Sequence, residues 1–316
     1  MRRAMLGAAL LGLLAGCAPD APHDNPYDVP QTGVYGTTYA RNGGALPGVV
    51  VTASPANITA SSDGQGQFSM ELPPSSTQVL QFSKIGRQAV ADTVTVPDRG
   101  VLQHNVILYG LPTVDTAIVK TIVQRLFNGS QTYSVQPCLV VSHPDGRAYL
   151  DDYSYSCQID TNHWTLAETG SRDEFTKIYA QTIDHVPGVG DFHGYIVGQL
   201  ARFMVSSSSY SSLTGNRVIP AFLEPAPDNL IPSSGTSFTP PDTLRWTNGR
   251  SDVDVRVEVW RGTTFLWAKD TTNISQLLLD TTLGTGNYTW KVIAHDLVGD
   301  QAIAEATFTR PISTRR

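Results

Sequence analysis

The sequence predicts an all-β chain of three β-sandwiches in series, on three observations. Short alternating segments recur along the chain, separated by Gly, Pro and Asp-Gly turn signals. "DVDVRVEVW" alternates over nine residues and puts Val253, Val255, Val257 and Val259 on one face. Charged side chains make up only 16% of the 316 residues, against about 25% in average proteins. Ser, Thr, Gly and Pro replace them, as suits exported, turn-rich β domains. A chain of this length exceeds one sandwich, so several domains are expected.

The N-terminus addresses location. Arg2 and Arg3 precede an uncharged apolar run, Leu6 to Leu14. The run is too short for a bilayer span, which needs about 20 residues, and has the size of a signal-peptide core. Leu14-Ala15-Gly16-Cys17 follows and resembles the lipobox of bacterial lipoproteins. That resemblance implies a signal peptide over 1–16. It also implies a diacylglycerol on the Cys17 thiol and an acylated (palmitate-type) amine, together a stable anchor. Ala18 rather than Asp follows Cys17, which by the same resemblance points to the cell outer membrane. Residues 17–32 then hold four prolines and three aspartates with no apolar periodicity, and read as a lipidated flexible tether.

Residues 33–110 carry strand patterns at Val34, Thr38–Ala40, Val49–Ala53, Gln67–Leu72, "TQVLQFSKIGRQAV" and "GVLQHNVIL". Gly36 with its following Thr, Leu46-Pro47-Gly48-Val49-Val50-Val51, Asp63-Gly64-Gln65-Gly66-Gln67-Phe68, Leu72-Pro73-Pro74 and Phe82-Ser83-Lys84-Ile85-Gly86 resemble the carboxypeptidase regulatory-like domain. The resemblance implies a seven-stranded prealbumin-like sandwich with an accessory role and no catalytic residues. The glycines then shape a turn, and Phe68 belongs to the core. Arg87 stands where the family often has an aromatic residue.

Residues 111–221 are read as an Ig-like sandwich. Val114, Ala117, Ile118, Ile122 and Leu126 fit helical spacing, but β-branched residues dominate 113–127 and favour a strand. Cys138–Val141 and Tyr153–Ile159 flank Pro144-Asp145-Gly146 and read as a hairpin; further strands are expected at Glu174–Ile183 and Gly194–Val205. The His143-Pro-Asp-Gly run is similar to turns in bacterial surface Ig-like modules. In an exported chain Cys138 and Cys157 are expected to pair. The loop they close would stabilise by about 3 kcal/mol; two free buried thiols are the alternative.

Residues 222–310 open on a proline-rich boundary. Leu244-Arg245-Trp246, and Leu283 followed by Gly286-Asn287-Tyr288-Thr289-Trp290-Lys291-Val292, resemble the fibronectin type III domain. The resemblance implies a core anchor at Trp246 and a corner tyrosine at Tyr288, its hydroxyl bonding back to preceding backbone.

Chemistry is sparse. Without residues 1–16 the chain has a net charge of −8, which argues against nucleic acid. There is no GxSxG, SxxK or phosphate-binding GxxxxGK[ST], and no cofactor is implied. Asp184, His185, Asp191 and His193 could gather on a divalent metal and serve a hydrolase, although their spacing fits no short metal motif. Asp145, Asp151 and Asp152 could similarly attract calcium. Trp260 and Trp267 are the candidate ligand contacts, because the inward valines leave Trp260 near a strand end. The function expected is non-enzymatic: a lipid-anchored envelope protein whose sandwiches bind or space a protein or polysaccharide partner. Carbohydrate binding, suggested by the likeness of prealbumin-like sandwiches to starch-binding folds, and the metal-dependent hydrolase are the alternatives.

Overall fold

A computed structural model describes residues 32–126, 128–208, 210–238 and 242–311. Cys17, the expected signal peptide and the tether up to residue 31 lie outside the described residues. The chain divides into two compact units that meet at Gly110 and Leu111.

The first unit is a two-layer β-sandwich. Its strands are β1 (Thr32–Ala40), β2 (Val50–Ser54), β3 (Ile58–Ser61), β4 (Gln67–Glu71), β5 (Thr77–Ser83), β6 (Val90–Thr95), β7 (Gly100–Gln103) and β8 (Val106–Leu108). β1 is central to one layer, antiparallel to β4 and parallel to β7 and then β8. The other layer has the order β3-β2-β5-β6, all antiparallel. Val34, Val51, Phe68, Leu80 and Phe82 fill the space between, and Phe68 meets Phe82 edge-on at 5.5 Å. Gly66 and Gly36 are obligatory. Gly66 has φ +76°, and a Cβ there would lie 2.7 Å from the Thr38 carbonyl oxygen; at Gly36 it would lie 1.8 Å from that of His104. Asp63 fixes the intervening turn by accepting from the Gln65 and Gln67 amides at 2.9 and 2.8 Å. Arg87 donates to the Leu108 carbonyl at 3.2 Å, so an ionic side chain ties down the edge where an aromatic ring was the expectation.

The second unit holds β9 (Thr113–Arg125), β10 (Gln131–Ser142), β11 (Ser154–Ile159), β12 (Asn162–Thr165), β13 (Ala167–Ser171), β14 (Thr176–Ala180), the helix α1 (Phe192–Ile196), β15 (Leu200–Ser206) and β16 (Ser211–Val218). It continues with β17 (Asp228–Ile231), β18 (Thr236–Ser237), β19 (Asp242–Thr247), β20 (Asp254–Arg261), β21 (Thr264–Thr272), β22 (Gln276–Leu279), β23 (Gly286–His295) and β24 (Gln301–Arg310). One nine-stranded sheet runs β13-β14-β10-β9-β24-β23-β20-β21, with β18 beside β24. Two smaller sheets back it: β12-β11-β15-β16, and β17-β19-β22. The unit thus holds two sandwiches over a shared sheet, and Phe222, Leu223, Val253 and Ala294 from its C-terminal part reach into the first core. Along β24, Ala302 belongs to the first core and Ala306 and Phe308 to the second. These residues share one parity, so both cores lie on one face of the sheet. Likewise Val253 reaches the first core, while Val255, Val257 and Val259 fill the second.

The seam between the halves is the parallel pairing of β24 with β9, Gln301↔Ile122 to Ala304↔Arg125. At its start the buried Asp300 carboxylate accepts the Thr121 amide at 2.6 Å. Segment 113–125 is therefore a strand, as its β-branched content implies, and not a helix. Trp246 and Tyr288 are buried in the second core, and the Tyr288 hydroxyl donates to the Gly284 carbonyl at 2.7 Å, the bond expected of a corner tyrosine.

Two expectations fail in the first half. β10 and β11 are not a hairpin. Pro144-Asp145-Gly146 leads into a 3₁₀ turn, Arg147–Asp152, and the chain crosses from the nine-stranded sheet to the four-stranded one. Cys138 and Cys157 are consequently free and buried. Cys157 sits in the core with Val135, Leu139 and Val141; Cys138, one residue before Leu139, points to the opposite face of its sheet. The strand expected at Gly194–Val205 is split: α1 covers 192–196, and β15 begins at Leu200.

Candidate functional site

The β20–β21 hairpin brings Trp260 together with the exposed Phe265 and Leu266. Alternation builds it: Val255, Val257 and Val259 point inward and are fully buried. The turn passes through Gly262, whose φ of +59° lies in the left-handed region. Arg256, Glu258 and Trp260 project outward. They form a chain of contacts along the face. Trp260 Nε1 donates to Glu258 Oε2 at 2.9 Å, Arg256 Nε donates to Glu258 Oε1 at 2.8 Å, and Arg256 Nη1 reaches both Asp270 oxygens at 3.1 Å. The hydrogen bond to Glu258, then the one to Asp270, holds the Arg256 guanidinium above its ordinary value against the opposing effect of burial. The indole is thereby held in one orientation.

A register shift completes the surface. Val259 pairs with Trp267, but Trp260 pairs with Phe265, so Leu266 is an extra residue in β21. The bulge turns Trp267 inward, half-buried against the second core. It leaves Phe265 46% and Leu266 40% exposed. The Trp260 and Phe265 rings meet edge-on at 5.2 Å. β21 is also an edge strand of the nine-stranded sheet. The two tryptophans, both half-buried, therefore differ in direction: Trp260 faces outward beside the exposed Phe265, and Trp267 packs against the second core.

The four residues proposed for a metal take separate partners. Asp184 Oδ1 meets His185 Nδ1 at 2.7 Å, both exposed; that bond holds the Asp184 carboxyl below its usual range. Asp191 accepts the Gly194 amide at 3.0 Å and caps α1. His193 lies over Tyr133 at 4.4 Å and beside Phe222 at 5.2 Å, with Nε2 3.5 Å from Glu224 Oε2. Among the described residues no group of three or more His, Cys, Asp or Glu side chains is placed to hold a metal ion. The hydrolase constellation is not assembled, because two carboxylates serve local turns and His193 serves an aromatic cluster. The calcium candidates are likewise dispersed. Asp145 is buried, and Asp151 pairs with Lys177 at 2.5 Å, whose ammonium also meets Glu168 at 2.9 Å.

Three of the four, Asp184, Asp191 and His193, do line one open cleft of about 380 Å³, with Gln131, Thr132, Tyr133, Gly190 and Phe192. The Tyr133 hydroxyl donates to Glu224 Oε1 at 2.6 Å and lies 2.9 Å from Gln131 Oε1. The bond to Glu224, with burial and the nearby carboxylates, pushes the Tyr133 hydroxyl up to about 12. Sequence reasoning missed Tyr133, Phe222 and Glu224. Tyr133 and Glu224 are separated by 91 positions, and no local motif joins them. Phe265 and Leu266 were within reach, as an apolar pair directly after a glycine turn.

No family profile and no curated protein matches the sequence. Solved structures overlap it loosely. The major pilin subunit of Bacillus cereus is 10% identical, with 86% of this chain and 92% of that one covered, at a TM-score of 0.33. The ectodomain of mouse nectin-like molecule 4 is 13% identical, with 89% and 99% covered, at 0.25. A putative carbohydrate binding protein from Bacteroides uniformis is 10% identical, with 60% and 99% covered, at 0.25. Overlap at this level carries no function across.

Proposed function

We propose that this is a non-enzymatic cell-envelope protein, anchored by lipid at Cys17 in the outer membrane, whose β-sandwiches hold a protein partner. The observation that supports this reading best is the Trp260–Phe265–Leu266 ridge. It is an apolar, aromatic surface, oriented by the Glu258–Arg256–Asp270 chain and placed at a sheet edge. Aromatic anchors fixed before contact lose little entropy on binding and carry most of the energy at interfaces. A free edge also offers main-chain donors and acceptors to a partner strand.

The test places a photo-crosslinking residue at position 265 in cells and identifies the adduct. The captured protein is then titrated with purified chain. One envelope protein is expected, captured from the anchored form and lost with Cys17→Ser. Trp260→Ala and Phe265→Ser should each weaken the purified complex by about 2 kcal/mol, the scale of an interface anchor. Affinity equal to the parent's in both variants would refute the ridge; capture unaffected by Cys17→Ser would refute the anchor.

A further inference from the structure

We propose that the cleft between Tyr133 and the Asp191–His193 turn is a saccharide subsite. It rests on its own observations and is independent of the hairpin ridge. A sugar presents hydroxyl donors around a ring with apolar faces, so its site needs acceptors beside aromatic rings that line the same space. The cleft supplies both. Asp184 and Asp191 each have one oxygen bound locally, by His185 and by the Gly194 amide. A carboxylate accepts several hydrogen bonds, so both retain capacity for ligand hydroxyls. Asp191 is held in place as the helix cap, whereas Asp184 is exposed and rests on the exposed His185 beside it.

The aromatic side is fixed. Tyr133 is tethered to Glu224, and His193 lies against Tyr133 and Phe222. Phe192 lines the same space. Gln131 and Thr132 add side chains that both donate and accept. No lysine or arginine lines the cleft, which disfavours phosphate, sulfate and acidic ligands. The residues do not converge as a metal site would require. At about 380 Å³ the cleft falls at the small end of ligand sites, about 300–1,000 Å³. It has room for a short saccharide rather than an enclosed polymer.

The experiment titrates soluble tetrasaccharides of glucose, mannose, galactose and N-acetylglucosamine into the mature Cys17→Ser chain. Calorimetry and amide shifts at Thr132 and Gly190 report binding, and methylammonium chloride serves as the cationic control. One sugar should bind and shift both amides. Asp184→Asn and Asp191→Asn should each weaken it about tenfold, the loss of a charge-assisted hydrogen bond. Asparagine still caps the helix at 191, so unchanged melting temperatures show that folding is intact. Three results overturn the subsite: no binding at millimolar sugar, undiminished affinity in the double variant, or shifts produced by methylammonium and by none of the sugars.

Discussion

The two sandwiches of the second unit share a sheet but are assembled differently. The C-terminal half has its two hairpins in the large sheet, β20 with β21 and β23 with β24, the latter through ten unbroken pairs from Gly286↔Arg310 to His295↔Gln301, and its small sheet joins strands that are not consecutive, β17-β19-β22. The N-terminal half is four hairpins, β9 with β10, β11 with β12, β13 with β14 and β15 with β16, which alternate between the two layers. The chain leaves the large sheet after β10 for β11, returns at β13, and leaves again after β14 for β15. Local pairing makes a surface hairpin that can present side chains, as the Trp260 ridge does. Crossings bring distant residues together at layer ends, as Tyr133, His193 and Glu224 meet in the cleft.

The strongest way to break this comparison is to unmake one core and watch the other. Trp290 is fully buried in the second core, and its indole donates to the Pro232 carbonyl at 3.0 Å. Trp290→Ala leaves a large cavity and an unpaired carbonyl, and should cost about 3–5 kcal/mol. Because both cores lie on one sheet, the loss is expected to spread. Hydrogen exchange should show peptides over 135–141 and 288–294 losing protection together. Loss confined to 288–294 would make the halves independent domains that merely touch.

A smaller perturbation addresses the seam itself. Asp300 is buried where β24 joins β9, and its carboxylate accepts the Thr121 amide. Burial lifts its carboxyl above the ordinary value, more than the Thr121 bonds lower it. The folded chain therefore holds this proton to higher pH than the unfolded chain. The stability from that proton is present below the unfolded value, about pH 4, and is lost as pH rises through the folded one. Asp300→Asn keeps an acceptor for Thr121 without the charge. Relative to the parent it should gain stability between pH 4 and pH 7, measured by chemical denaturation. Asp300→Ala removes the acceptor and should cost about 1–3 kcal/mol at either pH. A flat difference for Asp300→Asn across pH would show that the buried charge carries no penalty.

The same contrast governs how much was legible in the sequence. Alternation at Val253–Val259, the glycine turn at Asp63–Gly66 and the corner at Tyr288 are local signals, and the structure realises each. The outward direction of Trp260 followed from the valines beside it, whereas Trp267, expected to be exposed with it, turns inward at the bulge and both are half-buried. Pro144-Asp145-Gly146 is also a local signal, but it marks only a change of direction. Whether the chain then folds back along its own sheet or crosses to another depends on what Tyr155, Cys157 and Ile159 can bury against, which is Phe203, Ala201 and Leu139 far along the chain. The cleft was half-visible for that reason. "DHVPGVGDFH" supplied Asp184, Asp191 and His193, while their aromatic partners come from β10 and from the segment before β17.

The cysteines give the smallest expected effect and the sharpest check on the crossing. A hairpin would have placed Cys138 and Cys157 within bonding reach. Packed sheets lie about 10 Å apart, whereas disulfide-linked Cα atoms lie within about 7 Å. Here the two thiols also point in different directions, one into the first core and one away from it. Intact mass of the non-reduced Cys17→Ser chain should equal that of the fully reduced one, and reductant should leave the melting temperature unchanged. Reactivity should also separate the two. Burial pushes the Cys157 thiol up to about 12, so almost no thiolate exists at neutral pH. Burial raises Cys138 too, but Lys120 and Arg172 counter it. An alkylating reagent should therefore modify Cys138 before Cys157 in the folded chain, and both equally after denaturation. A mass lower by two hydrogens, restored by reductant, would mean that β10 and β11 pair as a hairpin, and the shared-sheet topology of the first half would fall with it.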